Sequence, residues 1–249
     1  MTDVTRERGT QRDTPEQCPC CGGTTFTLHT VLWPELIESW RLSSEEAAYI
    51  DRQQGLRCDV CHCNLRSMVL AQAILSSFNY TGTVARFVEE QVFQHLNVLE
   101  INEAGDLSQY LARLPGRILA SYPEVNMLQM PFADQTFDLV VHSDTLEHVS
   151  DPVAALAECH RVLVPGGICA FTVPIVVGRL TRSRNGLPPS YHGAPGTYLE
   201  DYRVYTEYGA DAWTHIMSAG FRECRIFSQN YPAAQALVAV RERIGNTRT

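Results

Sequence analysis

The chain has no apolar run approaching the ~18 residues of a membrane-crossing helix. Its opening stretch, MTDVTRERGTQRDT, has no apolar centre of the kind a secretory leader carries. The expectation is a soluble cytoplasmic protein. Positive charge is also in short supply, with 28 acidic residues against 20 basic ones and a net charge of -8. That balance argues against a nucleic-acid backbone as main partner, because such binding rests on a cationic footprint. Internal repeats and low-complexity tracts are absent, so neither a solenoid nor a flexible linker architecture is indicated. What remains is a chain of 249 residues, 45% of them hydrophobic. That is room for one α/β domain of ordinary size and a small accessory module.

Cysteine is well represented, and its placement is informative. Of nine cysteines, six fall in two tight groups, Cys18, Cys20, Cys21 and Cys58, Cys61, Cys63. Without a secretory leader, such clustering favours a metal over disulfides. Each group contains C-x2-C, a spacing that lets two thiolates of one turn reach the same tetrahedral ion. Cys18, Cys21, Cys58 and Cys61 are the expected ligands, with Cys20, Cys63 and His62 as substitutes. Four protein ligands leave no open position, so the expectation is a structural Zn2+ closing a zinc-ribbon-like module too short to hold a core alone. Between the two groups, Ser43-Ser44-Glu45-Glu46 is a helix-capping signal ahead of Ala47 to Ile50. Arg52, Arg57 and Arg66 offer a weak basic patch there, interleaved with acids.

The densest signal lies in residues 131–174. Phe137, Leu139, Val140 and Val141 form a short β-branched run, the mark of a strand buried on both faces. Ser150-Asp151-Pro152 then caps a helix carrying Val153, Leu156, Ala157, Val162 and Leu163 at helical spacing. Pro165-Gly166-Gly167 stops it, and a second strand follows over 168–173. Strand, helix, strand with this connection makes parallel neighbours.

Phe132, Asp134, Phe137-Asp138, Leu146-Glu147-His148-Val149 and Arg161-Val162-Leu163 before Pro165-Gly166-Gly167 resemble the second half of a class I S-adenosylmethionine-dependent methyltransferase of the type 11 kind. The resemblance implies an α/β fold: a Rossmann-like sheet with helices on both faces, abridged between its second and fourth strands, plus the small N-terminal zinc ribbon. It divides the chain into a disordered tail (1–14), the zinc-ribbon-like module with a helical insert (15–66), lid or linker helices (67–95) and the methyltransferase domain (96–249). S-adenosyl-L-methionine is the implied cofactor.

Carried over residue by residue, Glu100 takes the place of the acid ending the first strand (96–102), and Gly105 that of one turn glycine. Asn102-Glu103-Ala104 stand where small residues are expected. The second strand (116–121) ends on Ser121 instead of an acid, so Glu124 is assigned the ribose hydroxyls. Asn126 falls to the adenine amino group, Met127 or Leu128 to the ring face, and Ser143 and Asp144 to the methionine end. Methyl displacement needs chiefly alignment of nucleophile, carbon and sulfur. If the acceptor is a hydroxyl, His148 is a candidate base, the alternative being a histidine that fixes its loop.

Residues 175–208 are turn-rich, where substrates are commonly read. Tyr191 and His192 are the second catalytic or acceptor-binding candidates there. Arg179, Arg182 and Arg184 are either an anion site or a solvated loop, and Tyr198, Tyr202, Tyr205 and Tyr208 are candidate pocket walls. The leading expectation is methyl transfer, on oxygen, to a small-molecule, saccharide or metabolite acceptor. The alternatives are an inactive methyltransferase-like binding protein and a nucleic-acid module carried by the ribbon.

Overall fold

The computed structural model of the protein describes residues 14–192 and 199–243. The tail expected over 1–14 lies outside the described residues except for Thr14, as do Tyr198 and the last six residues.

The chain begins with two tight knuckles. Gly22 N–H donates to the Cys18 carbonyl at 2.8 Å, and His62 N–H to the Cys58 carbonyl at 2.9 Å. Strands β1 (Phe26–Leu28) and β2 (Leu56–Cys58) join them as an antiparallel pair. Gly23 is required here, because a Cβ at that position would stand 2.9 Å from Cys58 Sγ. Between the strands lie α1 (Pro34–Ser39) and α2 (Ser44–Gly55). The second starts on a full capping box, with Ser43 Oγ accepting from Glu46 N and a Glu46 carboxylate oxygen accepting from Ser43 N.

Helix α3 (Leu65–Ser77), capped by Asn64, is apolar nearly all round, as a helix enclosed between layers must be. It lies against one face of the main sheet and, with α4 (Val84–Phe87), against the knuckles. Tyr80 joins an aromatic group with Phe87 and Phe93 and hydrogen-bonds Glu90.

The main sheet holds β3 (Val98–Ile101), β4 (Arg117–Ala120), β5 (Phe137–Ser143) and β6 (Leu163–Thr172), all parallel. Helices α5 (Ser108–Leu111) and α6 (Pro152–Val162) lie in the β3–β4 and β5–β6 connections. A smaller sheet follows, in which β9 (Thr206–Gly209) runs between β7 (Ile175–Val176) and β8 (Arg182–Ser183). After α7 (Trp213–Ser218), the antiparallel β10 (Glu223–Gln229) and β11 (Ala234–Val240) complete the main sheet in the order β10-β11-β6-β5-β3-β4. Alternate residues feed two cores. Leu139, Val141, Ile168, Ala170 and Val238 face α3, whereas Val140, Cys169, Phe171, Leu237 and Ala239 face α6 and α7.

Residues 121–136 contain no strand or helix, which leaves β4 as an edge and shortens the sheet on that side. Strand β6 begins at Leu163, five residues before the start expected from Pro165-Gly166-Gly167. The reason is tertiary: Arg241 donates to the carbonyls of His160 and Arg161, and its own carbonyl accepts from Gly166 N, binding the turn to the end of β11.

Candidate active site

The order of connections reverses between β3 and its two neighbours β4 and β5, and open α/β sheets bind ligands beyond the strand ends at such a point. A cavity of ≈ 510 Å³ lies there. Its wall on the β3 and β4 side is Asn102, Glu103, Tyr122, Asn126, Met127 and Leu128. Across from these stand Ser143, Asp144, Thr145 and His148 from the end of β5, and Glu200, Asp201, Tyr202 and Tyr205 from the loop before β9.

The turn after β3 explains how a glycine-poor entrance stays open. Asn102 takes φ 51°, a conformation that asparagine tolerates better than most side chains, and its Oδ1 accepts from Tyr122 N at 3.0 Å. Gly105 has φ 57°, and a Cβ at that position would stand 3.1 Å from Ser67 Oγ. Glu100 is fully buried beneath this turn. One of its oxygens accepts from Ala104 N at 2.8 Å and the other from Arg117 Nε at 2.8 Å, so it braces the backbone from below.

Other candidates are distributed unevenly. Glu124 is exposed and outside the cavity lining, while Glu103 is in it. Asn126 Oδ1 accepts from Leu128 N at 2.9 Å, fixing the segment that carries Met127 into the wall. Ser143 Oγ bonds Thr172 Oγ1 at 2.8 Å. Asp144, at φ 46°, accepts from Gln54 of α2 and is ion-paired with Arg66 of α3. Residues well before the sheet therefore hold a side chain of the cavity lining, a contact that no local pattern in the sequence announces. Tyr202 and Tyr205 line the cavity, whereas Tyr208 is buried behind it. Tyr191 pairs with Arg203 as an isolated bridge and lies outside the lining.

The reading of Arg179, Arg182 and Arg184 as an anion site is corrected by their partners. Arg179 forks onto both carboxylate oxygens of Glu46, at 2.8 and 2.7 Å, and onto the carbonyls of Trp40 and Arg41. Arg182 and Arg184 share Glu207. All three are engaged by carboxylates of the chain itself, two of them by the same one.

Behind His148 lies a buried polar group. Glu147 is 1% exposed, and neither of its carboxylate oxygens has a hydrogen-bond partner among the described residues. His148 Nε2 and His192 Nε2 each stand 3.8 Å from Glu147 Oε1, and the two rings are 4.6 Å apart. His192 is held by its backbone N–H on the Tyr202 carbonyl and by the edge of Trp40, whose Nε1 donates to Ser190 Oγ at 2.9 Å. Burial raises the Glu147 carboxyl to about 8, against the pull of the Arg66 charge. Burial also pushes both histidines below their ordinary range, His192 the further because His148 and Arg66 add to it. His142, stacked on Phe171, falls to about 3 through burial alone.

A second cluster lies in the ribbon. The sulfurs of Cys18, Cys21, Cys58 and Cys61 all lie within 4.8 Å of one another, with Cys18 to Cys61 at 3.7 Å and Cys21 to Cys58 at 3.6 Å. Cys20 and Cys63 turn instead toward the carbonyls of Ser67 and Asp106. None of the six lines the cavity.

Residues 80–171 match the family described as "Methyltransferase domain". The chain is 26% identical over 148 residues to a demethylmenaquinone methyltransferase of Lysinibacillus sphaericus, covering 56% of each protein. It is 44% identical over 92 residues to the ubiquinone/menaquinone biosynthesis C-methyltransferase UbiE of Xanthomonas oryzae, covering 35% of this chain and 36% of that one. The chain thus spans only about half of the first relative's length and about a third of the second's. Among solved structures, the DszA carbon methyltransferase aligns with a TM-score of 0.42 at 12% identity, covering 72% of this chain and 54% of that one.

Proposed function

We propose that this protein transfers a methyl group from S-adenosylmethionine to an oxygen of a small-molecule or saccharide acceptor, a reading that the match of residues 80–171 to the methyltransferase-domain family supports. The observation that carries this reading is the open cavity over β3 and β5. Asn102, in its wall, is held by the bond from Tyr122 N.

The residues present fit the cofactor. Asn126, Met127 and Leu128 suit the adenine, Glu103 in place of Glu124 suits the ribose hydroxyls, and Ser143 and Asp144 suit the methionine end. Bound there, S-adenosylmethionine supplies an electrophilic methyl on a sulfonium. The chain's own part is alignment. Tyr202 and Tyr205 offer aromatic faces to an acceptor. His148 lines the cavity too, but with Nδ1 on the Arg203 carbonyl and Nε2 turned to Glu147 it serves to fix its loop and not as the base. Tyr191 and His192 act behind it as positioning residues.

For the ribbon we propose a structural Zn2+. With Zn–S bonds of about 2.3 Å, the sulfurs of a tetrahedral site lie roughly 3.8 Å apart, which the two short separations approach. The knuckles share one core with α3, Tyr110 and Leu111, so an ion there would brace the main sheet. A nucleic-acid role has little support: Arg66 is ion-paired with Asp144, and Arg57 faces Asp106 at 3.6 Å.

Calorimetry of the whole chain with S-adenosylmethionine and S-adenosylhomocysteine tests the cofactor reading. No heat at millimolar ligand would leave a methyltransferase-like binding protein. The relatives' names favour a second reading, in which the acceptor atom is carbon. Locating a labelled methyl group in the product of a cell-extract screen decides between the two.

A further inference from the structure

We infer that Glu147, His148 and His192 form a binding site for a divalent first-row transition-metal ion, distinct from the cysteine site and opening on the cavity. Two imidazole nitrogens and one carboxylate are a ligand set that such ions accept while keeping positions free for other ligands.

Three independent features of the cluster point to an ion. The first is the unsatisfied polarity. Both Glu147 oxygens and His192 Nε2 are buried without hydrogen-bond partners among the described residues, a costly arrangement that a native fold seldom keeps without use. The second is spacing. The 3.8 Å from each Nε2 to Glu147 Oε1 is too long for a hydrogen bond, so a proton does not fill the gap. With metal–ligand bonds of about 2.0–2.2 Å, ligand atoms stand roughly 3–3.5 Å apart, a small contraction from what is seen. The third is tautomer control. His148 Nδ1 lies 2.9 Å from the Arg203 carbonyl, which can only accept. Nδ1 therefore carries the hydrogen, and Nε2 presents its lone pair toward Glu147.

The surrounding charges are compatible with a cation. Arg66, whose field reaches Glu147, is neutralised by Asp144. His148 is the one ligand that lines the cavity, so the ion's remaining positions open on that side, toward Thr145, Tyr202 and Tyr205. An oxygen ligand on the acceptor, a hydroxyl or carbonyl, is the chemistry that would occupy them.

The site stands or falls by metal content, not by methyl transfer, so its failure and that of the proposed activity are read separately. The whole chain is purified from metal-supplemented culture, dialysed, and analysed by elemental mass spectrometry, then reloaded with Co2+ for absorption spectroscopy. The expected result is two ions per chain in the native protein and one in Glu147→Gln and His192→Gln, whose near-isosteric side chains preserve the fold. The ion kept by both variants should show the intense sulfur-to-cobalt bands of a thiolate site, and the ion lost should show only weak bands. Equal metal content in the native protein and both variants, or one thiolate-bound ion throughout, would overturn the inference.

Discussion

The two ligand-bearing clusters of this chain differ in how they are made, and the difference separates support from chemistry. The cysteine cluster comes from two nearly identical knuckles, each closed by its own backbone, and faces a packed core. The Glu147, His148 and His192 cluster is assembled from distant parts: a turn after β5, a loop before β9, and a tryptophan from the insert that holds His192. The first is closed by its own knuckles and has no member in the cavity lining. The second exists only when the whole fold does, and one of its members forms the cavity wall.

The largest effect should come from breaking the cysteine cluster. Structural zinc sites contribute roughly 10–16 kcal/mol of apparent binding free energy in small peptides, on the scale of a whole domain's stability. Cys58→Ser, or a strong chelator, should therefore abolish the cooperative thermal transition in circular dichroism. An unchanged melting temperature would mean that the sulfurs are mere packing groups.

The assembled cluster is next. Trp40 is 5% exposed, touches His192 and bonds Ser190. Trp40→Ala should cost about 3–5 kcal/mol in denaturant titration. A cost below ~1 kcal/mol would show that the insert does not hold His192 in place.

A smaller loss is expected at the turn under the cavity. Gly105→Ala places a Cβ 3.1 Å from Ser67 Oγ on a backbone at φ 57°, for about 1–2 kcal/mol. Calorimetry should show weakened cofactor binding in step with that loss.

The smallest concerns the link between insert and loop. The Arg179 guanidinium, helped by the Ser43 backbone N–H, holds the Glu46 carboxyl at about 2. A lowered carboxyl pKa contributes stability above its unfolded value, near 4.3. That stability disappears as pH falls from there through about 2. Allowing for solvent screening of a pair at the surface, it amounts to about 1 kcal/mol. Arg179→Gln should flatten that part of the pH–stability curve, and an unaltered curve would remove the pair from the account.

The same contrast explains what was legible in the sequence. Knuckles, capping box and the β5–α6–β6 unit are set by neighbours a few residues apart, so spacing alone reveals them. Val140 and Val141 belong to different cores, as the alternation of a buried strand requires. The partners of Arg179, Asp144 and His192 lie 133, 90 and 150 or so residues away in the chain, where periodicity carries no information. Glu124, the carboxylate nearest Ser121 and the one expected at the ribose, is exposed and outside the cavity lining. Asn102-Glu103-Ala104 stand where small residues are expected, and the spacing of the sequence does not announce the positive φ of Asn102 or the place of Glu103 in the cavity lining.

Asp144 sits between Gln54 and Arg66 on one side and the cavity on the other. The ribbon and its insert are consequently no detachable handle. A shortened protein beginning at residue 96 would retain every strand of the main sheet yet leave an aspartate unanswered at the mouth of its own pocket, and the first 95 residues would have to be supplied in trans to restore it.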